Sequence, residues 1–112
     1  MPKFNNVDLN LYRVFDVIYT EGNLTRAGEV LCITQPSVSN ALARLRDTFG
    51  DPLFVRTSVG MTPTPVAQNA IGTVRAALDL MRSSLQEVGT FLPEESDRIF
   101  RFSIADLAEL LI

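Results

Sequence analysis

The sequence predicts a mainly helical protein, with three short helices, a β-hairpin, one long helix and then the opening of an α/β unit. Three observations carry that expectation. Apolar residues recur at helical spacing in four segments, each marked by a capping residue or a closing glycine. Two short extended runs stand between the third and fourth segments, and from Arg98 the pattern changes to the two-residue alternation of a strand.

Asp8 is the expected N-cap of the first helix, with Leu9, Leu11, Tyr12, Phe15, Ile18 and Tyr19 at helical spacing and Gly22-Asn23 to end it. A shorter helix follows over about Leu24–Leu31, burying Leu24, Ala27 and Leu31; Asn23 or Thr25 can cap it. Gly28 in its interior costs roughly 1 kcal/mol against alanine. Cys32-Ile33-Thr34 is a short connection. Thr34 caps the third helix, Pro36 sits in its first turn, and Val38, Leu42, Leu45 and Phe49 form a one-sided stripe that stops at Gly50.

Leu53–Arg56 and about Val59–Thr62 read as a small hairpin joined by Thr57-Ser58. Thr64-Pro65 opens the long helix, striped by Val66, Ala70, Val74, Ala77, Leu78, Met81 and Leu85 and running to about Val88. At 1.5 Å per residue it spans about 36 Å, too long for so small a domain to cover by itself. Its apolar face predicts a homodimer. Residues 89–97 read as a linker, 98–104 as a half-buried strand, and 105–107 as the start of another helix. That is how an α/β domain begins.

Hydrophobic residues make up 46% of the 112, enough for a core. No apolar run is long enough to cross a membrane, and the N-terminus lacks the pattern of a secretion signal. The single cysteine, Cys32, forms no internal disulfide; it fits a reducing cytoplasm and is expected as a small buried side chain. Net charge is −3, but it is unevenly spread. Residues 1–85 hold eight Lys/Arg against seven Asp/Glu, or +1, and residues 86–112 hold two against six, or −4. No acid lies between Gln35 and Arg46, or between Pro52 and Leu78.

Two short helices at a tight turn, the second apolar behind and polar in front, form a helix-turn-helix pattern. The front carries Pro36, Asn40, Ala43 and Asp47, flanked by Ser39 and Arg44. Such a helix can enter the major groove of double-stranded DNA with its N-terminal turn. Gln35 has the donor and acceptor to pair with adenine, and Ser37, Ser39 and Asn40 can reach base edges or phosphates. The Pro36 ring can touch a thymine methyl. Arg56, in an acid-free stretch of the hairpin, suits a narrow minor groove. With no His, no paired-carboxylate pattern, no phosphate-binding glycine loop and nothing that calls for a cofactor, the sequence argues against an enzyme. A pure oligomerisation module would account for the long helix but needs neither the polar helix face nor the hairpin.

The run DLNLYRVFDVIYTEGNLTRAGEVLCITQPSVSNALARLRDTFGDPLFVRTSVGMTPTPVA resembles the N-terminal domain of the LysR-type transcriptional regulators. The resemblance covers about residues 7–88. Its LTRAGEVL, TQPSVSNAL, DPLFVRT and TPTP segments at these spacings are specific, and look most like the nodulation and aromatic-catabolism activators. The tail RIFRFSIADLAELL resembles the start of that family's effector-binding domain. The resemblance implies a winged helix-turn-helix at 7–63 (the motif itself at about 24–43), a dimerisation helix at 64–88, and a stub of an α/β effector domain at 89–112. It implies DNA contacts at Thr25, Arg26, Gln35, Pro36, Ser37, Ser39, Asn40, Arg44 and Arg56, a homodimer or homotetramer, and control by a small-molecule effector. Two departures stand out: Arg46 where the family often has Glu, and Gly28 where Ala is common. Asn40 sits where relatives vary.

Overall fold

A residue in the left-handed region turns the chain at the end of each of the first three helices. The computed structural model describes residues 8–91, with side-chain environments through Glu87. Helix α1 spans Asn10–Glu21, α2 Leu24–Leu31 and α3 Gln35–Phe49; strands β1 (Phe54–Thr57) and β2 (Gly60–Pro63) follow, then α4 (Pro65–Phe91). Gly22 and Gly50 close α1 and α3 as expected. Cys32 closes α2, at φ +59°.

Cys32 is exposed rather than buried. The reason is the turn it makes. Its own N–H donates to the Glu29 carbonyl at 3.3 Å and the Ile33 N–H donates to the Gly28 carbonyl at 2.9 Å, the paired bonds of a Schellman cap. Gly28 is correspondingly more than a weak helix former. A Cβ there would lie 2.8 Å from the Ile33 carbonyl oxygen, so an alanine at 28 would require the returning turn to shift outward.

The caps at the other ends are local. Asn23, not Thr25, caps α2 by accepting the Arg26 N–H at 2.9 Å, and Thr34 caps α3 by accepting from the Ser37 N–H. Asp8 stands one residue ahead of the α1 cap, Leu9, and its Oδ1 accepts the Asn10 N–H at 2.9 Å. In α1 the buried face is Leu11, Val14, Phe15 and Ile18, with Leu9 exposed and the two tyrosines half-buried. α2 contributes Leu24 and Ala27 with Leu31 half-buried, and α3 contributes Val38, Leu42 and Leu45 with Phe49 at the edge. Phe15 is the hub, its ring centroid 5.5 Å from Phe54, 6.2 Å from Phe49 and 6.3 Å from Tyr19. Such ring pairs add about 0.5–1.5 kcal/mol each beyond the area they bury.

The hairpin lies one residue later than the pattern predicts. Phe54 pairs with Pro63 and Thr57 with Gly60, leaving Ser58-Val59 as the two-residue turn. The displacement comes from Leu53, which is fully buried at φ +62° and so is not extended. The Phe54 N–H donates across it to the Pro52 carbonyl at 2.6 Å, a tight γ-type turn. Left-handed backbone costs a leucine about 1–2 kcal/mol. Burying its side chain gains about as much or more.

Thr64 caps α4, accepting the Ala67 N–H at 3.2 Å. The helix continues past Val88 through Gly89 to Phe91, so residues 89–91, expected to open the linker, are helical. α4 packs on α1 through Ala67, Ile71, Val74 and Leu78. Arg75 fastens the pair: Nε donates to Asp16 Oδ1 at 2.7 Å, Nη2 donates to Thr20 Oγ1 at 2.9 Å, and the guanidinium lies 5.2 Å from the Tyr19 ring centre. Val74 and Leu78, expected in a stripe shared with a second chain, therefore belong to this chain's own core. The rest of the linker expected over 89–97, the strand over 98–104 and the helix beginning at 105 lie outside the described residues.

Candidate nucleic-acid interface

Helix α3 is buried on the Val38–Leu42–Leu45 side and open on the other. Gln35, Pro36, Ser37, Asn40 and Arg44 are exposed along it, and Ser39 is half-buried. The first turn is organised before any partner arrives. The Gln35 Nε2 donates to Ser39 Oγ at 2.8 Å, and the Thr34 and Ser37 hydroxyls are 2.9 Å apart. Gln35 therefore keeps its second amide hydrogen and its Oε1 for another partner, with the side chain held along the helix.

Thr25 and Arg26 lie in the first turn of α2, both exposed. Because Asn23 does the capping, the Thr25 hydroxyl is not needed for it. Arg26 makes a loose, exposed contact with Glu21 at 3.4 Å, and Arg44 approaches Asp8 only to 3.9 Å. The Arg26–Glu21 pair is largely exposed, worth little and readily exchanged for a phosphate, whereas Arg44 is itself exposed but approaches a buried Asp8 carboxylate. Arg56, opposite Met61 in the hairpin, is exposed and has no ion pair among the described residues. The hairpin tip, Val59, is 88% exposed.

The fold brings α2, α3 and the hairpin onto one frame through polar ties that the sequence reading did not identify. The Met61 N–H donates to the Gly22 carbonyl at 2.9 Å, fixing β2 on the α1–α2 turn. Asp51 Oδ2 accepts from both the Leu53 N–H and the Thr64 hydroxyl, each at 2.7 Å, joining the start of the hairpin to the start of α4. Arg46, read in the sequence only as a departure from the family, donates from Nε to the Pro52 carbonyl at 2.8 Å and from Nη2 to the Phe54 carbonyl at 2.9 Å. The Asp51 bond to Leu53 had a local signal, since Asp accepting the N–H two residues on is a common turn. The other ties had none.

The stripe assigned to dimerisation divides into two faces. Val74 and Leu78, at 7% and 8% exposure, face α1, with Leu85 half-buried on the same side. Val66, Ala77 and Met81 are exposed, Ala70 is half-buried, and Leu80 is 72% exposed. At 3.6 residues per turn this second face lies roughly 100° round the helix from the first. Among the described residues no helix is long and apolar enough to cross a membrane.

A three-helix core presenting an open helix beside a β-hairpin is a winged helix-turn-helix domain. The bacterial regulatory helix-turn-helix proteins of the lysR family match residues 9–68, more than half of the chain, and the chain belongs to that family. It is 47% identical over 103 residues to the HTH-type transcriptional regulator LeuO of Escherichia coli (strain K12), covering 92% of this chain and 32% of LeuO. It is 38% identical over 109 residues to nodulation protein D 1 of Rhizobium leguminosarum bv. phaseoli, covering 97% and 35%. The chain thus spans about a third of the length of these curated relatives. Among solved structures, the probable transcriptional regulator PA0477 from Pseudomonas aeruginosa superposes with a TM-score of 0.72 at 38% identity, covering 75% of this chain and 28% of that one. The DNA-binding domain of BenM, solved in complex with catB site 1 DNA, shares the fold with a TM-score of 0.68 at 24% identity, covering 75% and 94%.

Proposed function

We propose that this chain reads a dyad-symmetric operator as a dimer, with α3 in the major groove and Arg56 of the hairpin in the adjacent minor groove. The observation that carries the reading is the open, acid-free first three turns of α3, organised by the Thr34 cap and the Gln35–Ser39 hydrogen bond. Gln35 reads a base edge with its remaining N–H and its carbonyl oxygen. Pro36, Ser37, Ser39 and Asn40 complete that surface. Thr25, Arg26 and Arg44 hold phosphates to either side, fixing register rather than reading sequence. Small-molecule control, assembly beyond a dimer and action in the cytoplasm carry over from the family, and DNA binding by the described domain requires none of them.

Positioning and reading separate experimentally. Gln35→Ala is expected to cost about 1–3 kcal/mol on the cognate duplex and little on a mixed-sequence one. Arg56→Ala is expected to weaken both and to reduce the salt slope by about one unit. With a net charge of −3 on the chain, the titrations need low ionic strength. Equal losses on both duplexes for Gln35→Ala would remove its reading role, and unchanged binding for Arg56→Ala would take the hairpin out of the interface.

The dimer forms, in this reading, through the exposed face of α4 rather than through the face already occupied by α1. Leu80→Asp combined with Met81→Asp is expected to give monomers by light scattering with melting temperature almost unchanged. A dimer that survives both substitutions would place the interface elsewhere.

A further inference from the structure

Arg46 works on both sides of the junction between α3 and the hairpin. Its carbonyl oxygen accepts the Gly50 N–H at 2.8 Å and the Asp51 N–H at 3.3 Å, closing the helix. Its guanidinium reaches forward to the carbonyls of Pro52 and Phe54, at 2.8 and 2.9 Å. Those two carbonyls flank Leu53, the buried left-handed residue that sets the direction in which β1 leaves the core. Arg56 lies two residues beyond Phe54 and on the same face of the strand.

We propose that Arg46 is the positioning residue of the wing, setting the angle at which Arg56 meets DNA relative to α3. The inference rests on the minor-groove reading of Arg56 given above. The side-chain chemistry is specific. A guanidinium is a planar, rigid fork of donors able to satisfy two carbonyls at once, whereas a lysine ammonium on a flexible stem is a point donor. Glutamate, frequent here in relatives, would set a carboxylate against both carbonyls.

Hydrogen exchange and DNA binding of the full chain together test this. Arg46→Lys keeps the charge and loses the fork; Arg46→Met loses both. Either variant, free of DNA, is expected to speed amide exchange in β1 and β2 by about tenfold while the Leu42 and Leu45 amides keep their protection. On a mixed-sequence duplex at low salt, Arg46→Lys is expected to weaken binding about fivefold and to lower the salt slope toward that of Arg56→Ala, although the charge at residue 46 is kept. In an Arg56→Ala background the same substitution is expected to cost less than about twofold, because coupled residues are not additive. Unchanged hairpin exchange, or the same loss in both backgrounds, would overturn the assignment while leaving the reading of Arg56 intact. Arg56→Ala binding as tightly as the parent would instead overturn the minor-groove reading and, with it, the role of Arg46 in DNA contact.

Discussion

Val74→Asp is expected to destabilise the domain itself rather than simply to dissociate a dimer. The side chain is 7% exposed and packs with Ala67, Ile71 and Leu78 against α1. The neighbouring cation, Arg75, already holds Asp16 and Thr20, so a carboxylate at 74 would displace an existing ion pair or remain without one. An uncompensated buried charge costs about 3–5 kcal/mol. Domains of this size hold only about 5–15 kcal/mol in total. At about 4–8 °C per kcal/mol, melting followed by circular dichroism should fall by roughly 15 °C or more. Leu80→Asp, on the 72% exposed side of the same helix, should stay within about 0.5 kcal/mol of the parent. A Val74→Asp chain that melts like the parent but is monomeric would mean that residue 74 faces a second chain.

Gly60→Ala is expected to detach the wing. Gly60 sits at φ +116°, where an L side chain is strained whatever surrounds it, and an added Cβ would lie 2.5 Å from the Gly22 carbonyl oxygen. That oxygen also accepts the Met61 N–H, so relieving the clash stretches the tie between β2 and the α1–α2 turn. Strain and overpacking together predict a loss of about 2–4 kcal/mol. Exchange should rise first at Met61. Gly72 supplies the contrast within the same chain: a Cβ there meets nothing within 4 Å, and the residue lies exposed inside α4. Gly72→Ala should therefore stabilise by up to about 1 kcal/mol, the ordinary helix-propensity gain. Equal effects at the two glycines, read from urea titrations, would show that close approach does not distinguish them.

The sequence by itself determined what depends on near neighbours. Thr34 three residues before the N–H it caps, glycine at the ends of α1 and α3, and the 38–42–45–49 stripe are all local relationships, and they placed α3 and its open face correctly. The family followed from the same run of residues. The hairpin was legible as a hairpin but displaced by one residue, because nothing local announces that Leu53 leaves the extended region when burial in the core outweighs its backbone strain. Cys32 looked like core because small apolar residues usually are; the Schellman turn over Gly28 put it outside.

Tertiary structure alone decided which partner each apolar face would have. Helix α4 carries two adjacent apolar stripes, and a periodicity argument reports their union, so Val74 and Leu78 could not be told from Ala77 and Met81 until α1 was in place. The polar ties were decided in the same way. Arg75 meets residues 59 and 55 positions earlier in the chain, Thr64 reaches Asp51 across 13, and Arg46 recognises backbone carbonyls that every sequence possesses. Whether such groups meet depends on where the core sets the backbone. Hydrophobic periodicity fixes which side of a helix is buried, but it takes the packed neighbour to show which buried side belongs to this chain and which is left for another.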